Sequence, residues 1–466
     1  MFKGGIDEKL MPKGVGIIIK TIEEAGYEAY AVGGCVRDCL IGRQPADWDI
    51  TTSALPQEVK KLFRKTVDTG IKHGTVTVLL KENGKLSSYE VTTYRIDGEY
   101  EDGRHPKEVS FSKNLEEDLK RRDFTINAMA WHPQRGLVDL FGGAEDLEKK
   151  LIRCVGDPYE RFSEDALRMM RAVRFAAQLG GSIHEDTVRA IRELSDNIEK
   201  VSAERIRVEA EKLLVSANPA MFRLFYEYGL TAHFLPEFDE CMKTAQETPH
   251  HCYSVGEHIL HSLESINTAA LSEESGDAYE RDLKVLRIAM LLHDIAKPLM
   301  KTIDEKGICH FKGHPKKSAE MADEILKRLK YDNDTIGRVK KLIEFHDDRT
   351  EADRRLMRRF VNRAGRDAFP LIFYVQEADV LAQSTYHREE KLARLYRIHA
   401  MWREIEDNGE CVEMPQLAVK GADLIAAGVS PGPAMGAVLA EMLKDVLEEP
   451  EHNTKEYLLE HYVGKK

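Results

Sequence analysis

Nowhere in its 466 residues does the chain hold an apolar run near the roughly 20 residues a membrane span requires, so no membrane partner is expected. The opening stretch Met1-Phe2-Lys3-Gly4-Gly5-Ile6-Asp7 lacks an apolar core after its lysine, so no secretory signal is expected and the cytoplasm is the expected compartment. Cysteines number 7, thinly spread and without a Cys-x-x-Cys pair, so neither a disulfide framework nor a zinc ribbon is expected and the thiols read as reduced. Positive charge is outweighed on average, since 68 Lys and Arg stand against 80 Asp and Glu and the formal net charge is -12. Yet basic islands stand out at Lys120-Arg121-Arg122 and at Arg161, Arg168, Arg171 and Arg174, a pattern suited to a polyanion bound selectively. With 42% hydrophobic and 32% charged residues and a mean hydropathy of -0.43, the chain is neither disordered nor a membrane bundle. Its length predicts about three domains.

The fold class expected is α+β. Tyr27 to Val32 and Asp47 to Thr52 are short β-rich runs flanking a helical Val36 to Ile41, and Thr75 to Leu80 and Ser87 to Tyr94 alternate like paired strands around Asn83-Gly84. From about Asp157 to Leu230 the spacing turns helical and strand signals vanish. A third helical region, about 250 to 390, carries most of the histidines, and the tail holds Gly421, Gly428, Gly432-Pro433 and Gly436 between helical pieces. The division read from these shifts is a head at 1–140, a helical neck and body at 141–245, a histidine-bearing domain at 246–390 and a helical tail at 391–466.

Val32-Gly33-Gly34-Cys35-Val36-Arg37-Asp38 follows a strand and opens a helix, where glycines permit close backbone approach and free N–H groups can meet a phosphate. Alone, such glycines are as readily turn punctuation. Asp47-Trp48-Asp49 adds more, because a period of two puts both carboxylates on one face and Trp48 on the other. Like charges so placed persist where cations bridge them, and Mg²⁺ suits carboxylates and substrate phosphates. Glu90, on the later strand, is a candidate third carboxylate.

Together, Gly33-Gly34-Cys35-Val36-Arg37-Asp38, Asp47-x-Asp49, Arg121-Arg122-Asp123-Phe124-Thr125-Ile126-Asn127-Ala128 and Arg161-Phe162-x-Glu164-Asp165-x-x-Arg168 resemble the bacterial CCA-adding tRNA nucleotidyltransferase and poly(A) polymerase family. The resemblance covers roughly residues 30 to 210. It implies a polymerase-β-like head with a small mixed sheet, Asp47 and Asp49 as catalytic Mg²⁺ ligands, and tRNA, CTP and ATP as partners. It also implies nucleotide binding by Gly33, Gly34, Arg37, Arg122, Asp123, Asn127, Asp165, Arg168, Arg171 and Arg174, with ribose and triphosphate roles for Arg122, Asp123 and Asn127.

Asp165 and Arg168 are three apart in a helical stretch and are expected to share a face, as an intrahelical ion pair or as an acceptor beside a donor fork. The second arrangement complements the exocyclic amine and ring nitrogen of cytosine or adenine, and the resemblance assigns the pair that selection. Ser202-Ala203-Glu204-Arg205-Ile206 reads as a helix N-cap. The polar Tyr94 to Pro106 stretch resembles the flexible loop of complete CCA-adding enzymes, or is an ordinary surface loop.

His258, His293-Asp294, His314, His346 and Asp379 occur in an order that resembles the HD metal-dependent phosphohydrolases over about residues 250 to 390. The resemblance implies one transition ion, such as Ni²⁺, Co²⁺ or Mn²⁺, on His258, His293, Asp294 and Asp379, with His251 a rival, and a second on His314 and His346. It further implies hydrolysis of a phosphoester such as a 2′,3′-cyclic phosphate or a 2′-nucleotide. The competing readings are a poly(A) polymerase or A-adding enzyme and, from another class, a phosphohydrolase whose head is only an RNA-binding module.

Overall fold

Ala29-Tyr30-Ala31-Val32 forms strand β1, buried along its whole length, as a central strand covered on both faces must be. It belongs to a sheet comprising also β2 (Asp49–Thr52), β3 (Thr66–Gly70), β4 (Thr75–Glu82) and β5 (Lys85–Thr93). A separate hairpin, β6 (Arg95–Asp97) and β7 (Val109–Phe111), intervenes before β8 (Met129–His132) and β9 (Gly136–Asp139) complete the sheet. The spatial order is β3-β4-β5-β2-β1-β8-β9. Only β2 and β5 run parallel, so the sheet is mixed, as expected. This computed structural model describes residues 6, 10–82, 84–97, 109–248, 250 and 252–463. The chain divides into two compact units, Met1–Phe234 and Leu235–Lys466.

Beyond the sheet the first unit is mostly helical. The helix Leu167–Leu179 buries Met169, Met170, Val173, Phe175 and Ala176 and packs on the helix Ala203–Leu214. Strands do not vanish entirely after Asp157: Leu151–Ile152 pairs in parallel with Ser182–Ile183. Two residues are too few to display a period, which is why the sequence hides them. The second unit repeats the lesson, with Thr302–Ile303 paired to Cys309–His310 among helices.

In that second unit the helices Val255–Glu264, Tyr279–Leu292, Asn333–Phe345 and Phe369–Ala382 pack on one another, and His314–Arg328 packs against Asn333–Phe345. Leu424, Met442, Val446 and Leu458 anchor a further apolar cluster toward the C-terminal end. All seven cysteines are free thiols. Among the described residues no helix is long and apolar enough to cross a membrane.

Candidate active sites

The carboxylate pair sits where β2 begins. The strand starts at Asp49, so Asp47 and Trp48 lie in the segment leading into it rather than on it, yet the alternation holds: Asp47 and Asp49 are exposed and Trp48 is buried. In the parallel register Asp49 stands opposite Glu90, which brings the candidate third carboxylate beside it. Atoms crowding the Asp49 carboxyl, together with Glu90 and Asp47, raise its pKa above the usual carboxylate value, and Arg122 opposes them. Asp47 and Glu90 thus both bear on Asp49, a repulsion that a divalent cation taking carboxylate oxygens would relieve.

Arg122 is held there by Asp118, which sequence reasoning missed. Asp118 is fully buried and meets Arg121 at 2.7 Å, Arg122 at 3.4 Å and the Thr51 hydroxyl at 3.0 Å. Burial alone would raise its pKa, but the two arginines and these hydrogen bonds lower it. Gly33 is required at its place: its φ is +82°, and a Cβ there would stand 2.9 Å from Arg122 Nη1. Gly34 opens the short helix Gly34–Leu40 that follows.

A polar chain runs from this helix to the neck. Arg37 Nη1 donates to Asn127 Oδ1 at 2.7 Å, and Asn127 Nδ2 donates to Asp123 Oδ1 at 3.1 Å. Asp123 Oδ2 in turn accepts from Arg171 Nε at 2.8 Å. Burial opposes ionisation of Asp123, but Arg171, Asn127 and Arg168 outweigh it and bring its pKa to about 2. Arg174 pairs with buried Glu209 at 2.5 Å and lies 3.8 Å from the Phe175 ring centroid. Burial lowers its pKa to about 10 despite Glu209. Arg37 and Arg171 approach the same ring at 5.0 and 5.3 Å, so Phe175 orders three guanidinium groups.

Asp165 and Arg168 do not share a helix face. The helix Pro158–Glu164 ends at Asp165, whose φ of -145° is extended, and the next begins at Leu167. Asp165 Oδ1 accepts from Leu167 N at 3.1 Å, and Oδ2 from Arg205 Nη2 at 2.7 Å. Arg168 meets Glu164 at 2.5 Å and donates to the carbonyls of Arg161 and Arg121 at 3.1 and 3.3 Å. The two side chains thus reach different partners across a helix break, although Arg168 N donates to the Asp165 carbonyl at 3.0 Å. A helix does begin at Ala203, but the Ser202 side chain makes no capping hydrogen bond, and Arg205 instead braces Asp165.

The second unit gathers the six candidate histidines and aspartates from five places in the chain. His258 Nε2 lies 2.8 Å from Asp379 Oδ1 and 3.5 Å from Asp294 Oδ2, and His293 Nε2 lies 3.3 Å from Asp294. His314 Nε2 is 3.2 Å from Asp294 Oδ1 and 3.1 Å from His346 Nε2. Two overlapping buried triads result, His258–His293–Asp294 and Asp294–His314–His346, with Asp294 common to both. Three imidazoles are aimed by nearby backbone: His293, His314 and His346 each set Nδ1 against the carbonyl three residues back, at 2.8, 2.9 and 2.6 Å. Nδ1–H bonded in this way leaves Nε2 as an inward lone pair, the arrangement of metal-ligating histidine.

Asp294 is buried and common to both triads, and imidazole nitrogens gathered about a carboxylate are a donor set that suits a transition cation. Burial disfavours the charged forms, but Asp294 and Asp379 raise the His293 pKa, and the pairing holds both carboxyls well below their usual range. Lys297, also missed as a partner, reaches Asp294 Oδ2 at 2.6 Å and Gln246 Oε1 at 3.0 Å. The rival His251, Asn83 and most of the Tyr94 to Pro106 loop lie outside the described residues.

Residues 29–153 match the model of the poly A polymerase head domain, residues 181–242 that of a probable RNA- and SrmB-binding site of polymerase A, and residues 308–462 that of domain 2 of tRNA nucleotidyltransferase. A CCA-adding enzyme of Limosilactobacillus reuteri is 37% identical over 448 residues, covering 95% of this chain and 94% of that one. One from Leuconostoc mesenteroides is 54% identical over 201 residues, covering 43% and 49%. Among solved structures, the Bacillus stearothermophilus CCA-adding enzyme in complex with CTP superposes with a TM-score of 0.69 at 30% identity, covering 96% of both chains. The fold is shared more distantly with the Thermotoga maritima enzyme complexed with tRNA, with a TM-score of 0.59 at 23% identity, covering 99% of this chain and 98% of that one.

Proposed function

The chain belongs to the family of CCA-adding enzymes, and from that premise we propose that it extends the 3′ end of tRNA with CTP and ATP by nucleotidyl transfer at Asp47 and Asp49. The observation that carries this reading is the convergence of Asp47, Asp49 and Glu90 beside Arg122 at one end of β2. Mg²⁺ held by these carboxylates would activate the attacking 3′-hydroxyl and offset charge on the departing pyrophosphate. Arg122, fixed by Asp118, offers a guanidinium to the triphosphate. Asp123, whose oxygens are already taken, acts by setting Asn127 and Arg171 rather than by meeting the nucleotide itself. The Asp165 carboxylate, braced by Arg205, retains lone pairs for an exocyclic amine, while the Arg168 guanidinium is tied to Glu164 and the carbonyls of Arg161 and Arg121.

Asp47→Ala and Asp49→Ala test the assignment. Either should abolish addition while tRNA affinity, which rests on distributed phosphate contacts, stays nearly unchanged. Addition retained by the double variant would refute it.

A second reading concerns the second unit, and the two overlapping buried triads that share Asp294 favour it. His258, His293, Asp294 and Asp379 would hold one transition ion and His314 and His346 another, in an HD-type phosphohydrolase site. Such an ion would supply a water acidified for attack on phosphorus. The residues' own work is to aim Nε2 atoms inward, while Lys297 sets the Asp294 carboxylate.

A further inference from the structure

A cavity of about 260 Å³ opens beside the histidine cluster and shares His346 and Asp379 with it. Arg349 follows His346 on one wall, and Lys391 and Arg394 line the other from the helix Arg388–Asp407. A spacing of three puts the latter two on one helix face.

The carboxylates in the same wall are already engaged. Asp347 meets Arg349 at 3.3 Å, Asp348 accepts from the Thr350 hydroxyl at 2.8 Å and from Arg363 at 3.1 Å, and Glu390 meets His387 at 2.7 Å. Asp379 is bonded to His258 at 2.8 Å and to Gln383 at 2.9 Å. Lys391, by contrast, has only neutral partners, the Gln383 side-chain oxygen at 2.6 Å and His250 Nδ1 at 3.1 Å. Among the described residues Arg394 makes no hydrogen bond, and its Nε is buried and unsatisfied. Burial holds both cations below their ordinary pKa and Arg349 pushes the same way, although Asp379 opposes the shift at Lys391 and Asp347 opposes it at Arg394. Such repulsion costs stability unless an anion enters to offset it.

We infer that Arg349, Lys391 and Arg394 bind the phosphate oxygens of a small phosphoester and present it to the histidine–aspartate cluster. The inference rests on the phosphohydrolase reading of that cluster and names its substrate class. Size argues for a mononucleotide rather than a strand: the cavity lies just under the roughly 300 Å³ at which small-molecule sites begin. Arginine and lysine are the fitting groups, the first as a fork for two phosphate oxygens and the second as a point charge.

The test is calorimetric titration of inorganic phosphate into the full chain loaded with Mn²⁺, in the wild type and in Lys391→Gln, Arg394→Gln and Arg394→Lys. Loss of a charge-assisted bond should weaken phosphate binding about tenfold in each glutamine variant, with partial recovery in Arg394→Lys and no change in bound metal. For a 2′,3′-cyclic nucleotide the glutamine variants should raise KM far more than they lower kcat. Phosphate affinity that is unchanged in both glutamine variants, or absent from the wild type, overturns the inference. A wild-type chain that takes up no transition metal would instead overturn the phosphohydrolase reading. The same titration on the metal-free chain would then decide the cationic rim, with an equal affinity in wild type and variants rejecting it.

Discussion

Arg205 Nη2 donates to Asp165 Oδ2 at 2.7 Å, joining the start of one neck helix to the break between two others. The contact fixes the carboxylate that we propose reads a base, and on that reading Arg205 is a support for specificity rather than part of a cap. Asp165→Ala should therefore erode the preference for CTP and ATP over UTP and GTP by about 1–3 kcal/mol, the worth of a good bidentate base contact. Arg205→Ala should erode it less. The measurement is relative incorporation of the four nucleotides. Ratios that hold while overall rate falls would make Asp165 purely structural.

Gly33→Ala should impair nucleotide addition without unfolding the head. A residue with a side chain at φ +82° and ψ -131°, a region that favours glycine, is strained by about 1–3 kcal/mol, and the new methyl must displace Arg122. KM for CTP should rise while the melting temperature falls only modestly.

Asp123 makes stability depend on acid. Its folded pKa, about 2, lies below the ordinary 3.8, so its ionised form is favoured by folding. That contribution, about 2 kcal/mol by linkage, is fully present above pH 4 and lost as the pH falls toward 2. In urea titrations the stability gap between wild type and Asp123→Asn should shrink across that window. A gap that stays constant with pH would show the carboxylate's charge to be irrelevant.

His293→Ala combined with Asp294→Ala should eliminate metal-stimulated hydrolysis of 2′,3′-cyclic nucleotides and leave tRNA extension nearly intact, once circular dichroism shows the variant folded. Metal retention by the wild type should weaken on acidification, because imidazole must lose its proton to ligate. Elemental analysis after dialysis at successive pH values reads this directly. A folded wild type that shows no such hydrolysis with any of Ni²⁺, Co²⁺ or Mn²⁺ would leave the cluster a tRNA-binding body's polar core.

What could be read in advance followed local period and motif. The exposed–buried–exposed order of Asp47, Trp48 and Asp49 and the β4–β5 hairpin express a two-residue repeat that a sequence displays openly, whereas the register that sets Glu90 opposite Asp49 appears only in the folded sheet. Asp118, Lys297 and Arg205 escaped because their importance lies in partners that only the folded chain brings near: Arg122, Asp294 and Asp165. The helix break at Asp165 escaped for another reason. Arg161-Phe162-Ser163-Glu164-Asp165-Ala166-Leu167-Arg168 contains neither glycine nor proline, so nothing local marks the interruption.

The most direct test supplies purified protein, Mg²⁺ and a tRNA lacking its terminal CCA with CTP alone, ATP alone and both, and sequences the 3′ ends. The account predicts two cytidines with CTP alone, a completed CCA with both nucleotides, and no extended adenosine tract with ATP alone. An adenosine tract grown from ATP, with no cytidine added under any condition, would contradict it.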